Sequence, residues 1–249
     1  MHSRLLPLTA AALVLAAPAA ASAADPLPLK PKHDRAPLGD ERLSNERTLT
    51  RWAHTNLIGK IRSKPSPSGK TVAKLRWNTE DGLPEVYVVL ESQLEDDQVW
   101  LKIRVPMRPN GRTGWVKEEQ LSPLKVVETQ LTIDRGTLTA TLRKRGRKVW
   151  TSRVGVGAPG TITPRGTFWV RERLRNLGGS PIYGPWAFGT SAYSDTLTDW
   201  PGGGVVGIHG TNQPELIPGR PSHGCVRVPN DKIVKLAKLM PVGTPITIR

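Results

Sequence analysis

The chain has 249 residues, of which 37% are hydrophobic, and a formal net charge of +15. This length fits two small domains with packed cores and excludes a wholly disordered chain. The 24 Gly and 23 Pro residues favour turns and short strands, so the predicted fold class is mainly β. The positive charge is compatible with nucleic acid or an anionic polymer as a partner, although scattered charge runs are usually solvated faces.

Residues 1–23 have the features of a signal peptide. Arg4 is followed by an apolar stretch over residues 5–21, and residues 21–23 have the small-x-small form of a cleavage site. The stretch is short for a bilayer span, which needs about 20 apolar residues, and Pro18 interrupts it. We therefore predict cleavage rather than retention as an anchor, with no stable membrane insertion afterwards. The predicted location is extracytoplasmic, in the cell wall or periplasm, which argues against nucleic acid as a partner.

Two segments precede the last half of the chain. Residues 24–50 begin Pro-rich and charged, lack a hydrophobic period and are predicted to be a linker. Residues 51–123 contain short alternating segments, of which residues 99–105 are the clearest strand, and turn signals such as Pro109-Asn110-Gly111. The ending Gly114-Trp115-Val116 resembles that of a bacterial SH3-like barrel, a module that commonly accompanies cell-wall enzymes. An anionic cell-wall polymer is a possible partner of such a module, and its deletion is expected to spare chemistry on soluble substrates.

Residues 126–249 are again predicted to be strand-rich. Residues 130–134 and 138–142 alternate around Arg135-Gly136, which indicates a hairpin. Residues 230–239 are the one good helix candidate, with Asn230 as a possible N-cap. This pattern predicts a β-rich domain with one or two short helices.

The only cysteine, Cys225, lies close to two histidines in the sequence. A single Cys cannot form an internal disulfide, so the thiol is either buried or used. A cysteine nucleophile needs a base, a group that orients the base, and backbone N–H groups facing the oxyanion. His209 and His223 lie within 16 residues of Cys225, and Gly224 precedes it. This concentration favours a thiol active site.

A metal site is the main alternative reading of the same three side chains. His209, His223 and Cys225 could supply three zinc ligands. The His-x-Cys spacing is not the usual ligand spacing, however, and no fourth ligand is clear. We expect neither a metal nor a cofactor, and we consider it less plausible still that all three are ordinary structural residues.

The chemistry-bearing stretch resembles a known family signature. His209-Gly210-Thr211, followed by Ser222-His223-Gly224-Cys225-Val226-Arg227, is similar to the signature of the L,D-transpeptidases, also called the YkuD family. Thr163-Pro164-Arg165-Gly166-Thr167-Phe168 resembles a second strand motif of that family. The resemblance covers residues 126–249 almost completely, and Val228, where the family more often has Met or Leu, is a conservative departure.

The resemblance implies a β-sandwich with the cysteine on a loop beside a sheet. It assigns Cys225 as the nucleophile and His209 as the general base, and then as the acid toward the leaving group. The carbonyl of Gly210 would hold the second ring nitrogen of His209. Backbone N–H groups of Gly224 and Cys225, with help from His223, would form the oxyanion hole.

The resemblance also suggests supporting roles. Arg227 would brace the loop or meet a substrate carboxylate, and both readings stay open. Ser222 would cap the turn rather than act chemically. Tyr183, Trp186 and Thr190 belong to the segment that faces substrate in the family.

The family reaction is acyl transfer between peptidoglycan stem peptides. The thiolate attacks the carbonyl of the third residue of a stem tetrapeptide, D-Ala leaves, and an amine of a neighbouring stem resolves the thioester into a 3→3 cross-link. Water as the acceptor would give L,D-carboxypeptidase activity, and a protein amine would give attachment to the wall.

Two other classes of protein remain as alternatives. A sortase also runs His, Cys, Arg along the chain, but Arg227 lies unusually close to Cys225 for that family. A wall-binding protein with an inactive catalytic domain is the non-enzyme alternative, and the complete set of site residues argues against it.

Overall fold

The computed structural model describes residues 32–33, 39–197 and 203–249. The predicted signal peptide and most of the first half of the predicted linker lie outside these ranges. Among the described residues, no helix is both long enough and apolar enough to cross a membrane.

The first domain is built on one antiparallel sheet. Its strands are β1 (Lys32–His33), β2 (Glu41–Arg42), β3 (Thr50–Ala53), β4 (Lys60–Arg62), β5 (Thr71–Lys74), β6 (Tyr87–Glu95), β7 (Gln98–Arg104), β8 (Thr113–Lys117) and β9 (Lys125–Val127). The strand order is β1-β9-β3-β6-β7-β8-β4-β5, and β2 pairs with β6. Leu101, Ile103 and Val116 are fully buried in its core. The strand predicted at residues 99–105 is confirmed as β7, whereas the likeness to an SH3-like barrel stays a prediction.

The structure moves both predicted boundaries of this domain. The sheet reaches into the predicted linker, because β2 pairs with β6 and Leu43 is buried in the core of the sheet. Ser44 fixes this segment by donating a hydrogen bond to the carbonyl of Val89 at 2.5 Å. At the other end, β9 pairs with β3. The first domain therefore extends to Val127 rather than ending at residue 123.

The second domain contains two sheets that share one core. The five-stranded sheet has the order β12-β11-β10-β20-β14, formed by β10 (Thr129–Asp134), β11 (Thr139–Lys144), β12 (Arg147–Arg153), β14 (Gly166–Trp169) and β20 (Pro245–Ile248). The six-stranded sheet has the order β15-β16-β17-β19-β13-β18, formed by β13 (Gly155–Gly157), β15 (Leu174–Arg175), β16 (Trp186–Tyr193), β17 (Val205–His209), β18 (Gly219–Ser222) and β19 (Val226–Arg227). Leu131 and Ile133 of the first sheet and Phe188 and Ile208 of the second belong to one buried cluster. The predominance of strands that the sequence predicts is confirmed.

The predicted helix is present but begins differently. Helix α1 (Asn230–Ala237) buries Ile233 and Leu236, as its apolar period predicts. Pro229 occupies the N-cap position, and no side chain caps the helix. The capping role expected for Asn230 is therefore wrong, because its Oδ1 accepts a hydrogen bond from the backbone N–H of Thr211 at 2.9 Å instead. Asn230 thus holds the chain just after the end of β17.

Buried polar and apolar contacts join the two domains. Arg171 of the second domain donates to both carboxylate oxygens of Glu85, at 2.7 and 2.6 Å, and to Glu80 at 2.8 Å. Burial opposes ionisation of Glu80, but the charge of Arg171 and the hydroxyl of Tyr193 outweigh it and lower the pKa of Glu80 to about 2. The indole N–H of Trp169 donates to a backbone carbonyl of the first domain at 2.7 Å. The domains are thus in direct contact rather than separated by a flexible tether.

A buried carboxyl group at this interface should make stability depend on pH. Burial raises the pKa of Glu172 from 4.5 to about 7; a hydrogen bond from Thr79 opposes this shift, and the carboxyl of Asp81 adds to it. The folded state then binds this proton more tightly than the unfolded state, so the contribution of Glu172 to stability falls as pH rises from about 4.5 to about 7 and levels off above. We expect Glu172→Gln to reduce the loss of unfolding free energy between pH 4.5 and pH 8, by on the order of 2 kcal/mol.

Urea unfolding at the two pH values measures this difference. Glu215→Gln, at an exposed position, is the matched control and should keep the wild-type pH dependence. An identical pH dependence in Glu172→Gln and the wild type would contradict the assignment.

Candidate active site

Strand pairing brings the two halves of the sequence motif together. His209 is the last residue of β17, and Cys225 immediately precedes β19. The two strands are parallel neighbours, with Ile208 opposite Val226 and His209 opposite Arg227. This register puts Cys225 next to Gly207, two residues before His209, and alternate residues of a strand face the same side. The histidine and the cysteine therefore lie near one another at one end of the sheet.

The His209 ring is buried and fixed in one tautomer. Its Nδ1 lies 2.6 Å from the carbonyl oxygen of Gly210, which can only accept, so Nδ1 carries the proton and Nε2 has a free lone pair. The ring of Tyr183 makes an edge contact with it, with centroids 5.1 Å apart. Burial and the charge of Arg227 lower the pKa of His209 to about 4, against the opposing hydrogen bond to Gly210. At neutral pH the imidazole is therefore neutral and can act as a base.

The Cys225 thiol and the His209 ring both lie close to Gly207. The backbone N–H of Gly207 donates to Sγ at 3.4 Å. A Cβ on Gly207 would lie 3.8 Å from Cδ2 of His209 and 3.9 Å from Sγ of Cys225, so the bare glycine faces both side chains. Burial raises the pKa of Cys225, opposed by the Gly207 N–H and by Arg227. The resting pair is accordingly a neutral thiol and a neutral imidazole.

Ser222 closes the loop that carries the cysteine. Its Oγ donates to the carbonyl of Cys225 at 2.6 Å and accepts the backbone N–H of Gly224 at 3.1 Å. Gly224 has a φ of +124°, in the region that favours glycine. The N–H of Gly224 therefore already has a partner within the loop, which differs from the oxyanion role that the resemblance implies for it.

A second hydroxyl, that of Thr163, also forms hydrogen bonds that fix the loop carrying the cysteine. Thr163 is fully buried, donates to the carbonyl of Gly224 at 2.7 Å and accepts the backbone N–H of Gly157 at 2.9 Å. In the sequence, Thr163 stands out only as part of a strand motif, with no signal of a role at the site. Its side chain ties the cysteine loop to the strand that follows β12.

Replacing Thr163 with Val should weaken both the loop and the fold. The change keeps the shape of the side chain but leaves a buried carbonyl and a buried N–H without this partner, at a cost of about 1–3 kcal/mol. We expect a lower melting temperature and a roughly tenfold slower acylation of Cys225, equivalent to 1.4 kcal/mol in the barrier. Thermal unfolding and single-turnover acylation measure the two effects, with Thr167→Val on β14 as the control. Wild-type acylation by the variant would show that the loop does not depend on Thr163.

The pair opens into a cavity of about 110 Å³. Six of the residues predicted for the site line it, together with wall residues from the chain between β16 and β17. The lining residues are Ile182, Tyr183, Ser194, Leu197, Gly204, Val205, Val206, His209, Ser222, His223, Cys225 and Arg227. In the described ranges, no group of three or more His, Cys, Asp or Glu side chains is arranged to hold a metal ion.

Two predicted substrate-binding residues lie elsewhere. Trp186 is buried in the core between the sheets, under the guanidinium of Arg173 at 5.6 Å. Thr190 is 2% exposed and donates its hydroxyl to the carbonyl of Val206 at 2.6 Å. Neither side chain lines the cavity, so the structure gives both a packing role in place of the expected contact with substrate.

Arg227 lines the cavity and is held by a neighbouring side chain. Its Nη1 donates to Oε1 of Gln213 at 3.0 Å, while its Nε is buried without a partner. Gln213, which the sequence analysis did not single out, therefore holds the guanidinium from one side. This geometry is compatible with both expected roles, bracing and recognition of a carboxylate.

Sequence comparisons agree with the geometry of the second domain. Residues 128–248 match the family profile described as the L,D-transpeptidase catalytic domain. The chain is 34% identical over 118 residues to YkuD of Bacillus subtilis (strain 168), a protein named as an L,D-transpeptidase. The match covers 47% of this chain and 64% of the Bacillus protein. The chain is 36% identical over 110 residues to the protein of the same name from Bacillus licheniformis, covering 59% of that protein and 44% of itself. The chain thus spans less than two thirds of these relatives.

A structural comparison also matches part of the chain. The catalytic domain of an L,D-transpeptidase from E. faecium superposes on 49% of this chain and 96% of that domain, with 24% identity and a TM-score of 0.36. Because this score is low, the assignment of the segment rests on the sequence matches. Residues 128–248 of this chain match the catalytic domain of the L,D-transpeptidases.

Proposed function

We propose that the chain is a secreted cell-wall L,D-transpeptidase that uses Cys225 to move an acyl group between peptidoglycan stem peptides. The observation that carries the proposal is that Cys225 and His209 line one cavity, with Nδ1 of His209 bound to the Gly210 carbonyl. The family match of residues 128–248 supports the substrate class.

The first half-reaction forms a thioester. Sγ of Cys225 attacks the carbonyl of the third residue of a stem tetrapeptide, and Nε2 of His209 takes the thiol proton as the new C–S bond forms. The tetrahedral intermediate then collapses, the peptide C–N bond breaks, and His209 returns the proton to the departing D-Ala amine. A neutral histidine is the form that this step requires, and the low pKa of His209 provides it at neutral pH.

The developing oxyanion needs donors close to Cys225. Since Ser222 engages the N–H of Gly224, the proposed donors are the backbone N–H of Cys225, with help from His223, which is exposed at the cavity. Arg227 lines the same cavity, and its positive charge there favours both the Cys225 thiolate and a substrate carboxylate.

The second half-reaction resolves the thioester. An amine of a neighbouring stem attacks the acyl carbon, His209 accepts its proton, and Cys225 leaves as the thiol, giving a 3→3 cross-link. Water in place of the amine gives a tripeptide instead, and a protein amine gives attachment to the wall.

Incubation with purified stem tetrapeptides tests the proposal. We expect released D-Ala and a dimer whose fragmentation places the bond between two third residues. A tripeptide alone would assign the carboxypeptidase alternative. No product from the wild-type protein, under conditions where its thiol is reduced, would contradict acyl transfer on stems altogether.

A strained acyl donor should react at the same thiol. We expect a carbapenem to acylate Cys225, because its ring carbonyl can enter the site of the stem carbonyl and ring opening releases strain. Intact-mass spectrometry should show one adduct in the wild type and none in Cys225→Ala. An unmodified protein that turns over stems would count against the assigned cavity.

A further inference from the structure

One wall of the active-site cavity comes from residues 194–197 after β16 and residues 203–204 before β17. Ser194, Leu197 and Gly204 line the cavity on this side. The backbone N–H of Ser194 donates to the carbonyl of Gly204 at 2.8 Å, which draws the outgoing and returning chain together. The Oγ of Ser194 accepts the backbone N–H of Leu197 at 3.0 Å.

A single arginine of the first domain holds this wall from outside. Nη2 of Arg108 donates to three carbonyl oxygens, those of Ser194 at 3.2 Å, Leu197 at 3.3 Å and Gly203 at 2.9 Å. Its Nε also donates to Ser194 at 3.3 Å. Two of these carbonyls lie on the outgoing chain and one on the returning chain, so Arg108 bridges both. The planar guanidinium, with its five N–H donors, can do this, whereas a lysine ammonium offers one compact point of charge.

A second residue of the same loop holds the end of β16. Asn110 donates from Nδ2 to the carbonyl of Tyr193 at 2.8 Å and accepts its backbone N–H at Oδ1 at 3.0 Å. The guanidinium of Arg108 also lies over the Tyr193 ring, 4.8 Å from its centroid. The loop at residues 108–110 therefore contacts the end of β16 as well as both arms of the chain that form the wall.

Gly204 fits this arrangement. Its φ of +74° lies in the region that favours glycine. A Cβ at this position would lie 2.6 Å from Nη2 of Arg108 and 1.9 Å from the carbonyl oxygen of Leu197. A side chain at residue 204 would thus displace either the arginine or the wall.

We propose that Arg108 is a positioning residue for acyl transfer, and that the first domain completes the stem-peptide site by fixing this wall. The substrate in this statement rests on the proposed function. Deletion of the first domain should accordingly impair turnover of soluble stems, in contrast to the separable module that the sequence suggests.

Kinetics of three variants test the proposal in the full-length chain. For Arg108→Ala we expect kcat/KM on soluble tetrapeptide to fall about tenfold or more, mainly through KM, because the wall binds substrate and carries no reacting group. Arg108→Lys keeps the charge but should recover little of this loss, and it also serves if Arg108→Ala does not fold. Arg112→Ala, at an exposed position two residues beyond Asn110, should behave as the wild type.

A second measurement tests how firmly the wall is held, without any stem substrate. Cys225 is the only thiol, so the ratio of its alkylation rates with a bulky fluorescein maleimide and with N-ethylmaleimide reports access to the cavity. We expect Arg108→Ala to raise this ratio, because a loosened wall admits the larger reagent, and Arg112→Ala to leave it unchanged.

The outcomes separate this proposal from the proposed function. A wild-type KM in Arg108 variants that turn over stems would overturn the positioning role. If the wild type does not turn over stems, the proposed function is wrong, and the alkylation ratio alone then tests whether Arg108 fixes the wall. An unchanged ratio in Arg108→Ala would overturn that role as well.

Discussion

Replacing Cys225 with Ala is expected to abolish acyl transfer, lowering turnover of stem tetrapeptides by about 10³-fold or more, as loss of a covalent nucleophile does. No other thiol exists in the chain to substitute for it. The small volume change and the loss of one weak N–H···S contact from Gly207 should leave the fold intact. Release of D-Ala, followed in parallel with thermal unfolding, measures both effects.

The matched control for this variant is Cys225→Ser, which keeps a hydroxyl at the same position. A hydroxyl is far less acidic than a thiol, so this variant should also lose nearly all turnover while its melting temperature stays close to that of the wild type. Retained acyl transfer in Cys225→Ala, with a melting curve like that of the wild type, would contradict the mechanism.

The second large effect distinguishes the two histidines near the thiol. His209→Ala is expected to slow acylation by about 10²–10⁴-fold, the usual contribution of a general base. His209 is buried next to Gly207, with Nε2 left free by the hydrogen bond from Nδ1 to Gly210. His223, by contrast, is exposed in the bend just before Cys225, where the proposed mechanism gives it only a supporting role at the oxyanion. Its replacement by Ala should cost about tenfold or less.

Single-turnover acylation rates across pH make this comparison sharper. Because the pKa of His209 lies at about 4, the base stays deprotonated at pH 5, and the acid limb of the profile should lie well below pH 6.5. This acid limb should persist in His223→Ala. It should be absent from the pH profile of the residual activity of His209→Ala. Rates in the reverse order would require the two roles to be exchanged.

The central residues of the site could be predicted because their signal is local. Cys225 is the only thiol, and His209 and the Ser222 loop lie within a short stretch of chain, so sequence spacing alone limits where they can lie. The supporting residues could not be found in this way. Thr163 and Arg108 act through contacts with residues that are 61 and 86 or more positions away, and only the folded chain brings them together.

The two misplaced substrate residues have a common physical cause. Trp186 and Thr190 lie on β16, where seven of the eight residues are buried. A strand that is covered on both faces lacks the alternation of apolar and polar residues that distinguishes a buried face from an exposed one. The sequence pattern therefore cannot show which of its side chains reach the cavity. The Asn230 error is of a related kind, because a residue suited to cap a helix forms a long-range contact with Thr211 instead.

Compositional reasoning also reaches its limit at residues 41–50. These residues are charged and have no hydrophobic period. Glu41 and Arg42 join the sheet only by pairing with β6, about fifty residues further along the chain. Short edge strands such as β2 bury few side chains of their own, so they leave little trace in the sequence.

The central claim, that Cys225 carries the acyl group of a stem peptide, is tested most directly by trapping the thioester. The full-length protein is incubated with tetrapeptide donor in the absence of an amine acceptor, quenched in acid and measured by intact-mass spectrometry with peptide mapping. We expect one adduct with the mass of the donor minus D-Ala, located on Cys225 and removed by neutral hydroxylamine. Release of D-Ala with no adduct on Cys225, or an adduct on another residue, would contradict it.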